Sequence, residues 1–166
     1  MLCSTTHVYH YLPSTGPDPI VRDGLLHLSD MPDHPNFGRE QTRFERRYYD
    51  LAWPVLRRPY GTSGIFFTTV DLRRVNGRGQ LACLRLAVPI GRLDHDWSVL
   101  TYEYDGVRHR FPLTAPHIED AARLWTRDRI ERWLGADDTG WFRYVPQVIT
   151  FQPGGVRVEP TDVDRP

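Results

Sequence analysis

This chain contains several short strand-like segments that do not alternate regularly with helices. That order limits how the chain can fold more than any other feature of the sequence. The clearest pair, residues 99–104 and 107–113, flanks Asp105-Gly106, a dipeptide typical of two-residue β-hairpin turns. Regular alternation of strands and helices would favour a doubly wound parallel sheet, and the segments do not follow that order. The sequence therefore predicts an α+β fold with a mixed, mostly antiparallel sheet.

Periodicity and turn residues place the other elements. Further strands are predicted at residues 6–12, 65–70, 81–88, 142–151 and 156–158. Helices are predicted at residues 18–24, 38–52 and 117–134. Gly24 would end the first of these helices, as glycine often does. We expect a single domain over residues 1–158 and a loose tail at residues 159–166, because no linker or repeat divides the chain.

The charge balance excludes several classes of function. Basic and acidic residues number 21 each, so net charge gives no general affinity for nucleic acid or an anionic membrane. Every basic residue is arginine, which excludes lysine Schiff bases and a P-loop lysine but leaves bidentate phosphate contacts available. No apolar stretch reaches membrane-spanning length and no secretory signal is recognisable, so we expect a cytoplasmic protein with no membrane partner.

Metal and disulfide chemistry has little support in the sequence. Cys3 and Cys83 are far apart and form neither a disulfide framework nor a metal-type pair. Asp94-His95-Asp96 offers three potential metal ligands, but neighbouring strand residues point to opposite faces. A polar turn is therefore the better interpretation of this tripeptide.

One histidine stands in the first predicted strand, V-Y-H-Y-L at residues 8–12. Alternation along a strand puts Val8, His10 and Leu12 on one face, and Tyr9 and Tyr11 on the other. His10 also precedes a loop rich in proline and glycine, where strand ends often meet ligands. A packed, hydrogen-bonded histidine with a structural role is the alternative interpretation.

Three segments, in chain order, resemble the ADP-ribosyltransferase superfamily. V-Y-H-Y-L followed by I-V-R-D-G-L-L resembles its first strand and first helix, and G-I-F-F-T-T at residues 64–69 resembles its second conserved strand. V-P-Q-V-I-T-F-Q-P-G-G-V-R-V at residues 145–158 resembles its penultimate strand, a Pro-Gly turn and another strand. The resemblance implies a split β-sandwich with two main helices, which clasps NAD between its two sheets.

The same resemblance implies an activity. Such an enzyme uses NAD as a substrate, cleaves the nicotinamide–ribose bond and transfers ADP-ribose to a macromolecular acceptor, either protein or nucleic acid. Toxin and phage-defence proteins of this size commonly use the fold. The bond breaks through an oxocarbenium-like transition state, as in glycoside hydrolysis.

The resemblance also implies site residues. His10 would contact ribose or nicotinamide with Tyr11 beside it, and Thr68 or Thr69 would hold the ribose. Aromatic stacking would come from Tyr48 or Tyr49. The phosphates would be met by an arginine from the set Arg22, Arg39, Arg43 and Arg47. Tyrosines that pack in the core and arginines on a solvated helix face are the alternatives.

The chain departs from the family at the catalytic carboxylate. Where the family's Glu would precede Val-Ile, this chain has Gln147. An amide can hydrogen-bond a ribose hydroxyl but supplies no negative charge, which weakens transition-state stabilisation. Glu103 or Glu119 could supply the carboxylate from elsewhere. Otherwise the fold could perform a different reaction, such as RNA 2′-phosphate transfer, or bind a nucleotide without turning it over.

Overall fold

The computed structural model of the chain describes residues 2–12, 21–22, 24–26, 65–75, 84–136 and 145–164. The strands are β1 His7–Leu12, β2 Val21–Arg22, β3 Leu25–Leu26, β4 Ile65–Thr68, β5 Leu84–Pro89, β6 Ser98–Tyr104, β7 Val107–Pro112, β8 Gln147–Thr150, β9 Val156–Arg157 and β10 Val163–Asp164. The helices are α1 Ala115–Leu124 and α2 Arg127–Ala136. The predicted helix at residues 38–52 and the strand position of Cys83 lie outside these ranges.

The described strands form two sheets. Seven strands make a large sheet in the order β10-β5-β1-β4-β8-β6-β7, and three make a small sheet in the order β2-β3-β9. Each strand pairing recorded in them is antiparallel. The predicted α+β class with a mostly antiparallel sheet is confirmed at this level, and the described residues include two helices.

The large sheet has one strongly apolar face. The register aligns Phe67, Val148 and Leu100 across β4, β8 and β6, and all three side chains are buried. Buried residues of both helices and of the small sheet belong to the same core, among them Ile118, Ile130, Leu26 and Val156. We call this side of the large sheet the apolar face and the opposite side the polar face. No helix among the described residues is long and apolar enough to cross a bilayer.

The hairpin predicted around Asp105-Gly106 is confirmed. Strands β6 and β7 pair from Val99 with Pro112 up to Tyr104 with Val107. Asp105 has a φ of 55° and Gly106 a φ of 72°, as a type I′ turn requires at both central positions. The two-residue turn therefore fixes which β7 residue stands opposite each residue of β6.

The helix predicted at residues 18–24 is wrong. Val21 pairs with Leu26 and Arg22 with Leu25, which makes β2 and β3 a hairpin. The two residues between the paired positions Arg22 and Leu25 are Asp-Gly, the same dipeptide as at residues 105–106. Gly24 has a φ of 76°, and this conformation serves a tight turn as well as it serves a helix end.

The helix predicted at residues 117–134 is two helices instead of one. The break falls at Trp125, whose φ of −98° and ψ of 70° leave the helical region. Its buried indole Nε1 donates to the Glu103 carbonyl oxygen over 3.1 Å, and the Thr126 hydroxyl accepts from the Arg129 amide. A tertiary contact and a local N-cap together outweigh the continuous apolar stripe.

The segment predicted to be a loose tail forms the edge of the large sheet. Residues 160–162 make a 3-10 turn, and β10 then pairs Val163 with Leu86 and Asp164 with Arg85. Arg92 forms an ion pair with the buried Asp162. Paired backbone and charged contacts thus fix residues 159–164, although their composition is that of a loop.

Candidate functional site

The three strands that carry the family resemblance lie side by side in the large sheet. β1 pairs with β4, and β4 pairs with β8. The first of these strands ends more than fifty residues before the second begins, so their adjacency is a property of the fold and not of the chain order. Side chains from all three can therefore contribute to one site.

A row of polar side chains crosses the middle of the polar face. Tyr9 stands opposite Thr68, Thr68 opposite Gln147, and Gln147 opposite Thr101. The exposed fractions of Thr68, Gln147 and Thr101 are 5%, 4% and 3%. We call these four residues the polar row. Buried polar groups need hydrogen-bond partners, so such a row is costly unless it is satisfied.

Arg108 links two members of the polar row. Its NH2 group donates to Thr101 Oγ1 over 2.6 Å and to Gln147 Oε1 over 3.1 Å. Because the amide oxygen of Gln147 faces the guanidinium, the NH2 group of that amide points the other way. Gln147 is thereby held in one orientation on the polar face.

Glu103 brings a carboxylate to the same face. It lies two residues from Thr101 on β6 and stands directly opposite Arg108 on β7. Its Oε2 is buried and accepts no hydrogen bond in the part of the chain that the structure describes. Its backbone is held firmly, since the carbonyl oxygen accepts from Trp125 Nε1 and from Arg129 NH2. Glu119, the other candidate carboxylate, is exposed on α1.

An apolar patch borders the polar row on the same face. Val99, Ile149 and Phe66 lie one step further along β6, β8 and β4, and Val99 and Ile149 are buried with Phe151. Phe66 and Trp97 pack against this cluster and are half-buried. Half-buried aromatic rings therefore lie beside the hydrogen-bonding groups of the polar row.

His10 lies on the other side of the sheet. Its ring packs edge-on against Phe67, with the centroids 5.7 Å apart, on the apolar face. Its Nδ1 donates to the Phe66 carbonyl oxygen over 2.8 Å. Strand alternation separates this side chain from Thr68 and Gln147. The structure therefore does not bring His10 and Gln147, the two predicted catalytic residues, to one surface.

Tyr11 participates in a separate network at the edge of the sheet. Its hydroxyl donates to Asp71 Oδ1 over 3.2 Å and accepts from the Leu72 amide over 2.8 Å. Arg85 pairs with Asp71 over 2.8 Å and with Asp164 over 2.7 Å, and Arg73 also reaches Asp164 over 2.7 Å. Burial and the Asp71 charge raise the pKa of Tyr11 above its usual range. We call these residues the edge network.

Thr69, predicted as a ribose contact, has local partners. Its hydroxyl donates to the Pro146 carbonyl oxygen over 3.4 Å, and its backbone pairs with Ser4 and Pro146. Cys3 lies nearby, and burial raises the pKa of its thiol to about 12. Both residues therefore join the N-terminal segment to β4 and β8, and the thiol is not a nucleophile near neutral pH.

The remaining predicted contacts lie outside the described residues. These are Tyr48, Tyr49, Arg39, Arg43 and Arg47, together with the side chain of Arg22. The predicted polar turn at residues 94–96 is present, since Asp94 accepts from the Asp96 amide at the start of a 3-10 turn. Among the described residues, no group of three or more His, Cys, Asp or Glu side chains could hold a metal ion.

Sequence reasoning missed Thr101 and Arg108, although the signal was present. The hairpin alternates polar and aromatic residues, with Thr101, Glu103, Arg108 and Arg110 on one face. The two-residue turn determines the register of these positions, so the polar face of the hairpin could have been read from the sequence. Only its distance from β8 in the chain hid the connection to Gln147.

Comparison with known proteins returned no match. No protein-family model, no curated protein and no solved structure matches this chain. The chemistry of the site therefore has to be argued from the residues of this chain.

Proposed function

We propose that this chain is an NAD-dependent ADP-ribosyltransferase-like enzyme, which cleaves the nicotinamide–ribose bond and transfers ADP-ribose to a macromolecular acceptor. The observation that carries the proposal is the adjacency of β1, β4 and β8. These strands contain one strand from each of the three resembling segments, and they meet although two of the segments are about eighty residues apart in the chain. The rest of the first and third segments forms β2, β3 and β9 in the small sheet. Thr68 and Gln147, which the resemblance implies as site residues, are direct cross-strand neighbours.

The polar face offers the groups that this reaction needs. The Gln147 amide is the ribose contact of this proposal, and the half-buried Phe66 and Trp97 would pack against the nicotinamide ring. The Thr68 hydroxyl supports the site from within the sheet, because it accepts from the Val70 amide over 3.0 Å and donates to the Pro146 carbonyl oxygen over 3.4 Å. The bond from C1′ to the nicotinamide nitrogen breaks with its electron pair leaving on nicotinamide. The acceptor then forms the new bond to C1′ with a lone pair, and its proton is released to water.

In the proposed site, His10 does not contact the ligand. Its side chain belongs to the apolar face and is bonded to the Phe66 carbonyl. By that bond it holds β1 against β4, beneath the polar row. The proposal therefore assigns His10 to the support of the site and assigns ligand contact to the polar row.

A nucleotide-binding module without turnover is the second candidate. One observation favours it: Gln147 is neutral and its amide oxygen already accepts from Arg108. A site organised around this amide would bind hydroxyl groups without stabilising a cation. The two candidates differ in nicotinamide release and agree on NAD binding.

The test is a pair of measurements on the full chain. Calorimetry measures NAD binding, and liquid chromatography measures nicotinamide release with and without a cell lysate as a source of acceptor. The proposal expects both binding and release, with release reduced at least tenfold in Gln147→Leu and unchanged in Glu119→Gln, a control on the exposed surface of α1. Binding without release would establish the module, and no binding would overturn both candidates.

A further inference from the structure

The Arg108 side chain reaches past the carboxylate that stands closest to it in the register. Strands β6 and β7 pair Glu103 with Arg108, and directly opposite residues of an antiparallel pair have Cβ atoms about 4.5–5.5 Å apart. The guanidinium nevertheless donates to Thr101 Oγ1 over 2.6 Å, further along β6, and to Gln147 Oε1 over 3.1 Å, on β8. Two of its hydrogen bonds thus go to neutral oxygens, although a carboxylate stands opposite.

The carboxylate of Glu103 has acceptor capacity left. Its Oε2 is buried and accepts no hydrogen bond among the residues that the structure describes. A buried acceptor without a donor costs free energy in folding, and the buried polar atoms of native proteins are as a rule hydrogen-bonded. The sheet therefore keeps an open acceptor directly opposite a guanidinium that is bonded elsewhere.

The backbone beneath this carboxylate is anchored. The Glu103 carbonyl oxygen accepts from Trp125 Nε1 over 3.1 Å and from Arg129 NH2 over 3.4 Å, and the Arg129 guanidinium lies 4.0 Å from the centroid of the Trp125 ring. Arg108 has a long side chain with many rotamers and stands on β7, the last strand in the order of the large sheet. Of the two residues, Arg108 is therefore the one that can change its contacts.

We propose that Glu103 is a positioning residue of the polar row: it is a second acceptor for Arg108, and it takes over the guanidinium when another hydrogen-bond donor occupies the amide oxygen of Gln147. Arg108 then has two states, one bonded to Gln147 and Thr101 and one paired with Glu103. Without the second acceptor, displacement from Gln147 would leave a half-buried cation short of acceptors, which is costly inside a folded protein.

These two states let the site exchange a protein donor for a ligand donor. A ligand hydroxyl that bonds to Gln147 Oε1 has to displace the Arg108 NH2 group, and the hydrogen bond lost there is replaced by an ion pair with Glu103. A ligand that binds one state better than the other shifts the population towards it. This step rests on the proposed function, which supplies the ribose hydroxyl as the displacing donor, whereas the two states of Arg108 do not.

The test measures the coupling between Glu103 and Arg108 in different backgrounds. Glu103→Met, Arg108→Met and the double variant are unfolded in urea, first in the wild-type background and then in Gln147→Leu, which removes the competing acceptor. We expect the coupling to change the unfolding equilibrium constant by less than about threefold in wild type and by about tenfold or more in Gln147→Leu. In Gln147→Glu, which keeps an acceptor at this position, the coupling should stay as weak as in wild type.

A spectroscopic measurement follows the guanidinium itself. The Nε–H NMR signal of Arg108 should move in Gln147→Leu and return towards its wild-type position when Glu103→Met is added. Thr101→Val, which removes the shorter of the two hydrogen bonds, releases the guanidinium in a second way if Gln147→Leu does not fold. In the matched control cycle Glu119→Met replaces Glu103→Met, and no coupling is expected because Glu119 is exposed on α1.

The outcomes separate the inference from the proposed function. Coupling that is equally weak or equally strong in wild type and in Gln147→Leu overturns the inference, because Arg108 then has a single state. That result leaves the proposed function untouched, since the cycle contains no NAD. NAD that binds to wild type without moving the Arg108 signal overturns the exchange of donors. Wild-type protein that neither binds NAD nor releases nicotinamide overturns the proposed function, while the coupling between Glu103 and Arg108 in Gln147→Leu would still support the two states.

Discussion

Two polar networks share the polar face of the large sheet, and they differ in whether their charges are satisfied. At the β10–β5–β1 edge, Asp71 and Asp164 meet Arg85 and Arg73, so two carboxylates balance two guanidinium groups. At the β8–β6–β7 side, Arg108 spans Thr101 and Gln147, and Glu103 keeps a buried oxygen without a donor.

Under the proposed function, the first network stabilises the sheet and the second contributes to ligand binding. The edge network fastens β10 to the sheet, and Tyr11 closes it through Asp71. Even there, Arg85 Nε is buried without an acceptor, but the two carboxylates already neutralise that guanidinium. A carboxylate without a donor is more costly in folding than an extra N–H of a paired cation, and so it has more to gain from a donor that moves to it.

Substitution of Arg85 tests whether the edge network stabilises the fold. Arg85→Met leaves the buried Asp71 without its cation, and we expect a loss of about 3–5 kcal/mol in the free energy of unfolding, measured by urea denaturation. The double variant Asp71→Asn/Arg85→Met should recover part of this loss. A loss below about 1 kcal/mol would mean that the edge network does not stabilise the fold more than a surface pair does.

Alkaline pH tests the same network through Tyr11. Its folded-state pKa is raised above the ordinary value of 10.0 by burial and by Asp71, so the fold favours the neutral phenol. The stabilisation is complete below pH 10 and is lost as pH rises through the folded-state pKa. Above pH 10, wild type should therefore lose up to about 1.4 kcal/mol per pH unit relative to Tyr11→Phe. Urea unfolding of both proteins at pH 9, 10 and 11 measures this, and a constant difference across that series would contradict it.

A substitution of His10 tests whether residues on the apolar face contribute to the activity. His10→Ala removes one hydrogen bond to the Phe66 carbonyl and should cost about 1 kcal/mol of stability. Nicotinamide release should stay within about threefold of wild type, because a side chain on the apolar face does not touch the ligand. Complete loss of release in a folded variant would return His10 to the site and require a different arrangement of β1.

Local signals in the sequence were sufficient for some elements. The turn Asp105-Gly106 predicted both a hairpin and its register, because a two-residue turn leaves no freedom in the pairing. The same dipeptide at residues 23–24 is compatible with a helix end, because Gly24 suits either structure. Only the pairing of β3 with β2 and with β9 decides between the two. The break at Trp125 depends on a contact with Glu103 and has no local signal apart from Thr126.

The site was less predictable because it depends on the pairing of strands that lie far apart in the sequence. The local motifs predict Thr68 and Gln147 as site residues one by one. That the two side chains lie in one row follows only from the pairing of β4 with β8. His10 and Gln147 were grouped because both occupy motif positions, and the sheet puts them on opposite faces. The edge network joins residues more than ninety positions apart, from Arg73 to Asp164, which alternation within a strand cannot reveal.

Asp164 also bears on the order in which this protein acquires its structure during synthesis. Arg85 and Arg73 are synthesised well before residue 164, and the strand that neutralises them follows all the other strands of the large sheet in the chain. Until then β5 has an unpaired edge and an excess of positive charge, both of which discourage a complete sheet. The large sheet is therefore expected to become fully cooperative only after β10 has been synthesised.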